Sequence, residues 1–462
     1  MNKYLIMPIF GLLLFFSACG KVNNNHLFDG MSLNGWEISN NIELVDSTLV
    51  LSGPNAEATF ANDNYQDFDL TIKMRTVDQG KGFIAFHSDE QGKGYRVAIN
   101  NDVDDKVWWR MTGSLISIRN LTKSLIKDGA WFNLNIRVEG QIISIAIDGQ
   151  PMVEYIEPEN PFRISASSNY LLSEGTFKIV STGEGDIEIK DIYVEKIDRK
   201  EIDIPAQLVL AKDEANDPIF LLHQEDFPVL DFHVHLKGGL TADVAAKQSR
   251  ELGINYAIAP NCGVGFPITN DEGIYQFVDT MRSQPFILAM QAEGREWVTT
   301  FSQQARDEFD YVFTDALTFS DHKGRRTRLW EVEDSWIEDE QKYMDMIVDR
   351  TCKVLEEPVD VFVNPCYLPD KMSDRYDEFW TEERMDKFVD ALAKSGKALE
   401  INELYNIPNK AIIMKAKKAG VKFTFGSNNV TPDVSKLEYS IRMKKECGLS
   451  SSDMYKPKVK IG

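Results

Sequence analysis

The chain has little of what usually makes chemistry obvious at first sight. It carries six histidines and five cysteines in 462 residues, and no two cysteines are spaced as CxxC. That spacing excludes a zinc ribbon or a thioredoxin-like dithiol. With a formal net charge of −21 and no Lys/Arg cluster that reads as a nucleic-acid or anionic-lipid patch, no nucleic-acid partner is expected. Low-complexity tracts are missing, which leaves a globular composition. Long apolar runs are missing too, apart from "LIMPIFGLLLFF" (Leu5 to Phe16), too short to span a bilayer comfortably as a permanent helix. At this length two domains and a leader are expected.

What is present begins with that leader. Lys3 supplies a positive start, the apolar run follows, and "FSACG" closes it. The pattern is a targeting segment. It resembles a bacterial lipobox, which implies a signal peptide over 1–19, lipidation of Cys19 and a membrane tether through several acyl chains. The expected location is therefore the cell envelope, as a periplasmic or outer-membrane lipoprotein. The other cysteines, Cys262, Cys352, Cys366 and Cys447, are expected to be free and buried.

From His26 to about Ile197, "GFIAFHSD", "YRVAIN", "WFNLNIRVEG" and "IISIAIDGQPMVEYI" alternate with period two, as half-buried strands do. Asp148-Gly149 is a hairpin turn between two such runs. Many short strands with tight turns and no helical periodicity predict an all-β sandwich or jelly roll over 26–199.

"LFDGMSLNGWEI", "GFIAFHSDEQGKGYRVAINND", "TGSLISI", "WFNLNIRVEGQIISIAIDGQPM" and "GDIEIKDIYVEKI", in that order, resemble the 3-keto-disaccharide hydrolase family. The resemblance implies a concanavalin-like jelly roll and a sugar substrate held on a concave face. It implies substrate contacts from Tyr95, Trp109 and, less so, Trp108, whose faces suit sugar rings. Arg96, Asn100, Asp102 and Arg110 would meet hydroxyl groups. Two positions depart from the family pattern: His87 replaces an Arg, and Arg96 replaces the Glu of Tyr-Glu-x-Gln. The second removes an acid/base candidate.

Residues 200–222, with two prolines and a charge run, read as a linker. After it the rhythm changes. Apolar strands with polar ends ("VLDFHVH", "YAIAPNC", "FILAMQAEG", "YVFTDALTF", "VDVFVNPC", "ALEIN", "KFTFGSN") alternate with helical stretches closed by glycine, such as "ERMDKFVDALAKSG". This predicts an α/β barrel of seven parallel strands over 223–462, with its site at the C-terminal mouth. His233 and His235, two apart on a strand, should project together with Asp231. They form a two-histidine, one-carboxylate set with Glu293, suited to zinc, manganese or iron. Glu296 is an alternative ligand, and Cys262 and Cys366 are softer candidates. Glu400 or Asp315 would be the general base. Lys237, Arg295 and Arg325 would neutralise a developing anion, and His322 sits on a nearby loop.

The same strand ends resemble the PHP phosphoesterase-like barrels over 226–440, with amidohydrolases as the near alternative. Asn261-Cys262, Asn364-Pro365 and Asn428-Asn429 stand where that family has further ligands. Three functions follow as expectations. The first is an envelope-anchored hydrolase or lyase of 3-keto-glycosides, with a divalent metal in the barrel. The second is a phosphoesterase with an accessory sugar-binding domain. The third is a glycan-binding lipoprotein without catalysis. No protein partner is legible.

Overall fold

The computed structural model describes residues 25–89, 93–198 and 213–461. The segment expected to be a signal peptide, with Cys19, and the linker as far as 212 lie outside the described residues. Among the described residues no helix is long and apolar enough to cross a membrane.

The N-terminal domain is a sandwich of two antiparallel sheets. One runs Gln150–Ile156, Ile142–Ile147, Phe132–Glu139, Phe68–Val77, Asp186–Lys196, Thr48–Ser52, Ile42–Val45, with His26–Phe28 also paired to Asp186–Lys196. The other runs Trp36–Ile38, Glu57–Phe60, Thr176–Ser181, Lys81–Ser88, Tyr95–Asn100. Alternation sets the layers: Phe68, Leu70, Ile72 and Met74 are buried while Thr71 and Lys73 between them are not. Each such burial contributes roughly 1.5–3 kcal/mol. Asp148 and Gly149 turn the expected hairpin at φ 46° and 81°, both left-handed as a type I′ turn requires.

The C-terminal domain is a closed barrel of seven parallel strands: Leu230–Val234, Asn255–Ile258, Ile287–Ala292, Tyr311–Thr314, Val361–Phe362, Ala398–Asn402 and Phe423–Gly426. Closure comes from the first strand, which pairs with both the second and the seventh. A short extra pair, Asn261–Cys262, extends the second strand beside the third. Side-chain caps from Thr241, Asn270, Thr381 and Asn409 start four of the surrounding helices. Gly253 and Gly396 end two of them in the left-handed region, where glycine has no Cβ penalty. The segment read as linker becomes structured at its end: Glu214 is held by Tyr155 and Arg163, and a helix spans Pro218–Gln224.

The sandwich closes the bottom of the barrel. Trp108 and Trp109 join the barrel's interior cluster, with Leu230, Phe232, Tyr311 and Phe313. Trp109 Nε1 donates to Asp226 at 2.8 Å. The expected sugar-stacking role of this pair is therefore corrected, since both rings are core. Lys123 sends its ammonium to the carbonyls of Arg282, Gln284 and Phe286 at 3.1, 3.2 and 2.7 Å. The tail from Tyr455 crosses the same end, where its ring meets Phe232 and Tyr311.

Candidate active site at the barrel mouth

The first strand brings the two histidines to the mouth, but not as strict alternation dictates. Its pairing with the second strand slips between Asp231 and Val234. Leu230 and Phe232 alternate into the interior, but after the slip Val234, next in that row, packs outward. Asp231 does not join the histidines. Its Oδ1 accepts the backbone N–H groups of His233 and Ser427, each at 3.0 Å, and burial pushes its pKa up to about 6. The residue ties two strands together.

His233 and His235 do stand together, with ring centroids 4.9 Å apart. His233 Nδ1 lies 2.6 Å from Glu400 Oε1 and its Nε2 lies 3.3 Å from Gln291 Oε1. Glu400 is fixed in turn: its Oε2 accepts from Asn364 N at 2.7 Å and Asn402 Nδ2 at 2.9 Å. Gly426 makes room, because a Cβ there would fall 2.1 Å from Glu400 Oε1. His235 Nδ1 donates to the Ala259 carbonyl at 2.6 Å. Burial, then the neighbouring His233 and Lys237, hold His235 well below its usual pKa. The ring is therefore neutral, and its buried Nε2 lone pair has no hydrogen-bond partner.

Glu293 faces Asn261, whose Nδ2 donates to it at 2.5 Å. Burial and the negative charge of Asp315 push its pKa up to about 7. Asp315 accepts from Asn364 Nδ2 at 3.1 Å and from Leu317 N at 3.0 Å. Asn364 and Asn428 occupy the left-handed region at φ 47° and 49°, a conformation asparagine tolerates. Their amides meet, with Asn428 Nδ2 donating to Asn364 Oδ1 at 2.9 Å. Lys237 is exposed on the loop beyond the histidines, its pKa lowered by burial of part of the chain and opposed by nearby Glu293.

The expected ligand set of His233, His235 and Glu293 does not assemble as a cage. Among the described residues no group of three or more His, Cys, Asp or Glu side chains is placed to hold a metal ion. The donor chemistry gives the reason. Both nitrogens of His233 face other side chains, Glu293 and Asp315 each turn an oxygen to an asparagine amide, and the unpartnered His235 Nε2 does not share a centre with them. Cys262 and Cys366 are buried thiols whose pKa values burial raises, so neither supplies a thiolate readily. Arg295 is committed to Glu357, Thr314 and the Asp315 carbonyl. It positions the fourth strand's end instead of meeting an anion.

On the sandwich, Tyr95 is fully buried, its hydroxyl bonded to Glu157 and Arg163. Asn100 and Asp102 stabilise their own turn, through Asn100 Nδ2 to Asp105 and Asp102 Oδ1 from Asp104 N. Of the expected sugar contacts, Arg96, Asn100 and Arg110 line a groove of about 380 Å³ with Phe83 and Tyr170. Arg96 lies over both rings at 4.7 and 5.5 Å. Two residues at the mouth escaped the sequence reading. Gln291 was findable, two before Glu293 on the same strand. Tyr405, which Asp315 and Glu400 influence electrostatically, sits in a loop with no local signal.

Fold and site together define a two-domain protein: a β-sandwich sealing one end of a seven-stranded parallel barrel whose other end gathers acid/base groups. Residues 24–195 match the family described as the 3-keto-alpha-glucoside-1,2-lyase-like domain, which makes the sandwich a carbohydrate-related domain. No curated protein matches the chain. Among solved structures, a protein of Parabacteroides distasonis ATCC 8503 provisionally named a glycosyl hydrolase is 17% identical, with TM-score 0.34, over 37% of this chain and 93% of its own. The carbohydrate binding module CBM66 of Bacillus subtilis is 17% identical, with TM-score 0.27, over 35% of this chain and 96% of its own.

Proposed function

We propose that the protein is an envelope-anchored, carbohydrate-processing hydrolase or lyase acting on 3-keto-glycosides, with its proton transfers at the barrel mouth. The observation that carries the substrate class is the family match over residues 24–195. The lipobox-like "FSACG" carries the anchoring. The mouth is favoured over the sandwich groove because the groove has Arg96 where a carboxylate is wanted, while the mouth holds three carboxylates around two imidazoles.

A ketone at C3 acidifies the C2–H bond. His233, its Nδ1–H held by Glu400, takes the C2 proton on Nε2 as the C1–O bond breaks, once substrate has displaced the Gln291 amide from that nitrogen. Glu293, kept protonated towards neutral pH by burial and by Asp315, gives a proton to the departing oxygen. The products are an alcohol and a C1–C2 unsaturated ketone. Water adding its oxygen to C1 and returning a proton to C2 completes net hydrolysis. Lys237 balances enolate charge near Glu293. No step runs through a metal, since the residues do not form a ligand set. A phosphate substrate is disfavoured because Arg295 is already paired.

The test is release of 3-keto-sugar from a 3-keto-glucoside by the purified full chain. Glycan binding without turnover would move the assignment to the non-catalytic reading.

A further inference from the structure

Beyond the mouth, the fourth barrel strand leads into an insertion that includes a small hairpin, Thr318–Ser320 and Arg326–Arg328. Between this insertion and the helix Glu340–Val354 lies a separate pocket of about 210 Å³, lined among others by Asp321, His322, Trp336 and Tyr343. Its first lining residue comes six positions past Asp315 in sequence, on the chain that leaves the mouth end of the fourth strand. Its size is below the usual span of drug-sized ligand cavities and suits a single ring.

Four observations on its walls point to one kind of ligand. Trp336, with the Arg325 guanidinium 4.8 Å from its ring centroid, is still 41% exposed although large apolar side chains usually find cover. Its backbone sits at φ 46°, which bulky residues rarely adopt, and its indole N–H is anchored to the Arg326 carbonyl at 3.1 Å. Tyr343 is only 5% exposed, yet its hydroxyl bonds to nothing. Burial and the Asp321 carboxylate raise its pKa, so it stays a protonated donor. The charges are already paired among themselves: Asp321 with Arg325 at 2.7 Å, Glu338 with Lys323 at 2.5 Å, and Asp339 with Lys342 at 3.6 Å. A pocket with an aromatic wall, a buried unsatisfied hydroxyl and neutralised charges fits an uncharged polyhydroxylated ring better than an anion or a cation.

We propose that this pocket binds a second, neutral sugar ring of the substrate beside the barrel mouth, with Trp336 as its stacking face and the Tyr343 hydroxyl as a hydrogen-bonding group. This rests on the reading of the protein as a 3-keto-glycoside enzyme and adds to it the barrel-side residues that would hold the second ring.

Two readouts on the full chain separate the inference from that reading. In turnover, Trp336→Ala raises KM for a 3-keto-disaccharide roughly tenfold, while kcat, and KM for the methyl 3-keto-glucoside, stay as in the parent. Tyr343→Phe raises the disaccharide KM by about 2–10-fold. It leaves the melting temperature unchanged or higher, because the lost oxygen bonds nothing in the free protein. Equal losses on both substrates, or no loss in either variant, overturn the subsite. Should the parent turn over neither substrate, the enzyme reading fails, and calorimetry with unmodified trehalose, cellobiose and maltose decides the subsite by itself. Binding of any of these that weakens in Trp336→Ala supports it; absence of binding by the parent overturns it.

Discussion

The two ends of the barrel place buried polar groups to opposite effect. At the sealed end Lys123 and Arg119 reach from the sandwich into the barrel, where each is met mainly by barrel carbonyls and amides. Lys123 reaches three carbonyls, and Arg119 reaches Asn255, Ser249 and the Asn120 carbonyl. Two tryptophans fill the remaining space. At the mouth the groups are crowded but incompletely matched. His235 Nε2 has no partner, Glu293 is held close to neutrality, and two asparagines are bent into the left-handed region. Buried charge met by hydrogen bonds holds the two domains together, even though Arg119 Nε itself is left without a partner. Of the two ends, only the mouth gathers two imidazoles with carboxylates, their pKa values shifted by burial and by one another, and that crowding of acid/base groups marks it as the end with chemistry to do.

The comparison can be broken at either end. Glu400→Gln removes the charge that orients His233 and is expected to lower kcat by about 10²–10⁴-fold with little change in melting temperature; turnover measured beside a thermal scan checks both halves. Lys123→Met does the reverse. It strands three carbonyls, costing about 2–5 kcal/mol in chemical denaturation, while kcat of the folded protein stays near the parent value.

A pH series sharpens the contrast further. His223, at the sealed end, is held down to about 3 by burial and by Arg119. Its folded pKa lies below the unfolded value, so the unfolded chain binds the extra proton. Stability is whole above about pH 6.5 and falls by roughly 1.4 kcal/mol per unit as pH drops towards 3. His223→Gln flattens that slope in denaturation curves taken from pH 7 to 5. The smallest effect is Trp109→Phe, which loses the bond to Asp226 and costs about 1 kcal/mol, again without touching turnover.

Much of this was legible in the sequence where the signal is local. Period-two runs and turn residues gave away the sandwich, and all seven barrel strands were visible as apolar runs with polar ends. The proximity of His233, His235, Asp315 and Glu400 follows from that count, because parallel strands bring their ends to one rim. What stayed hidden depends on partners far along the chain. Tyr95 looked like a sugar contact, but Arg163 and Glu157 bury it. Trp109 looked exposed because its partner is Asp226, in the other domain. The ligand set read from the histidines is not assembled among the described residues for a related reason: the slip in the first strand and the asparagine amides, each from a different strand, decide what every donor faces. Trp336 and Tyr343 carried no pattern, since a pocket between a hairpin and a helix has no sequence period.

The most direct test is to incubate the purified full chain with a 3-keto-glucoside in the presence of a metal chelator, beside Glu400→Gln, and follow release of the 3-keto-sugar. The account predicts release by the parent that persists in chelator and collapses in the variant. No release by the parent, or undiminished release by Glu400→Gln, would contradict it.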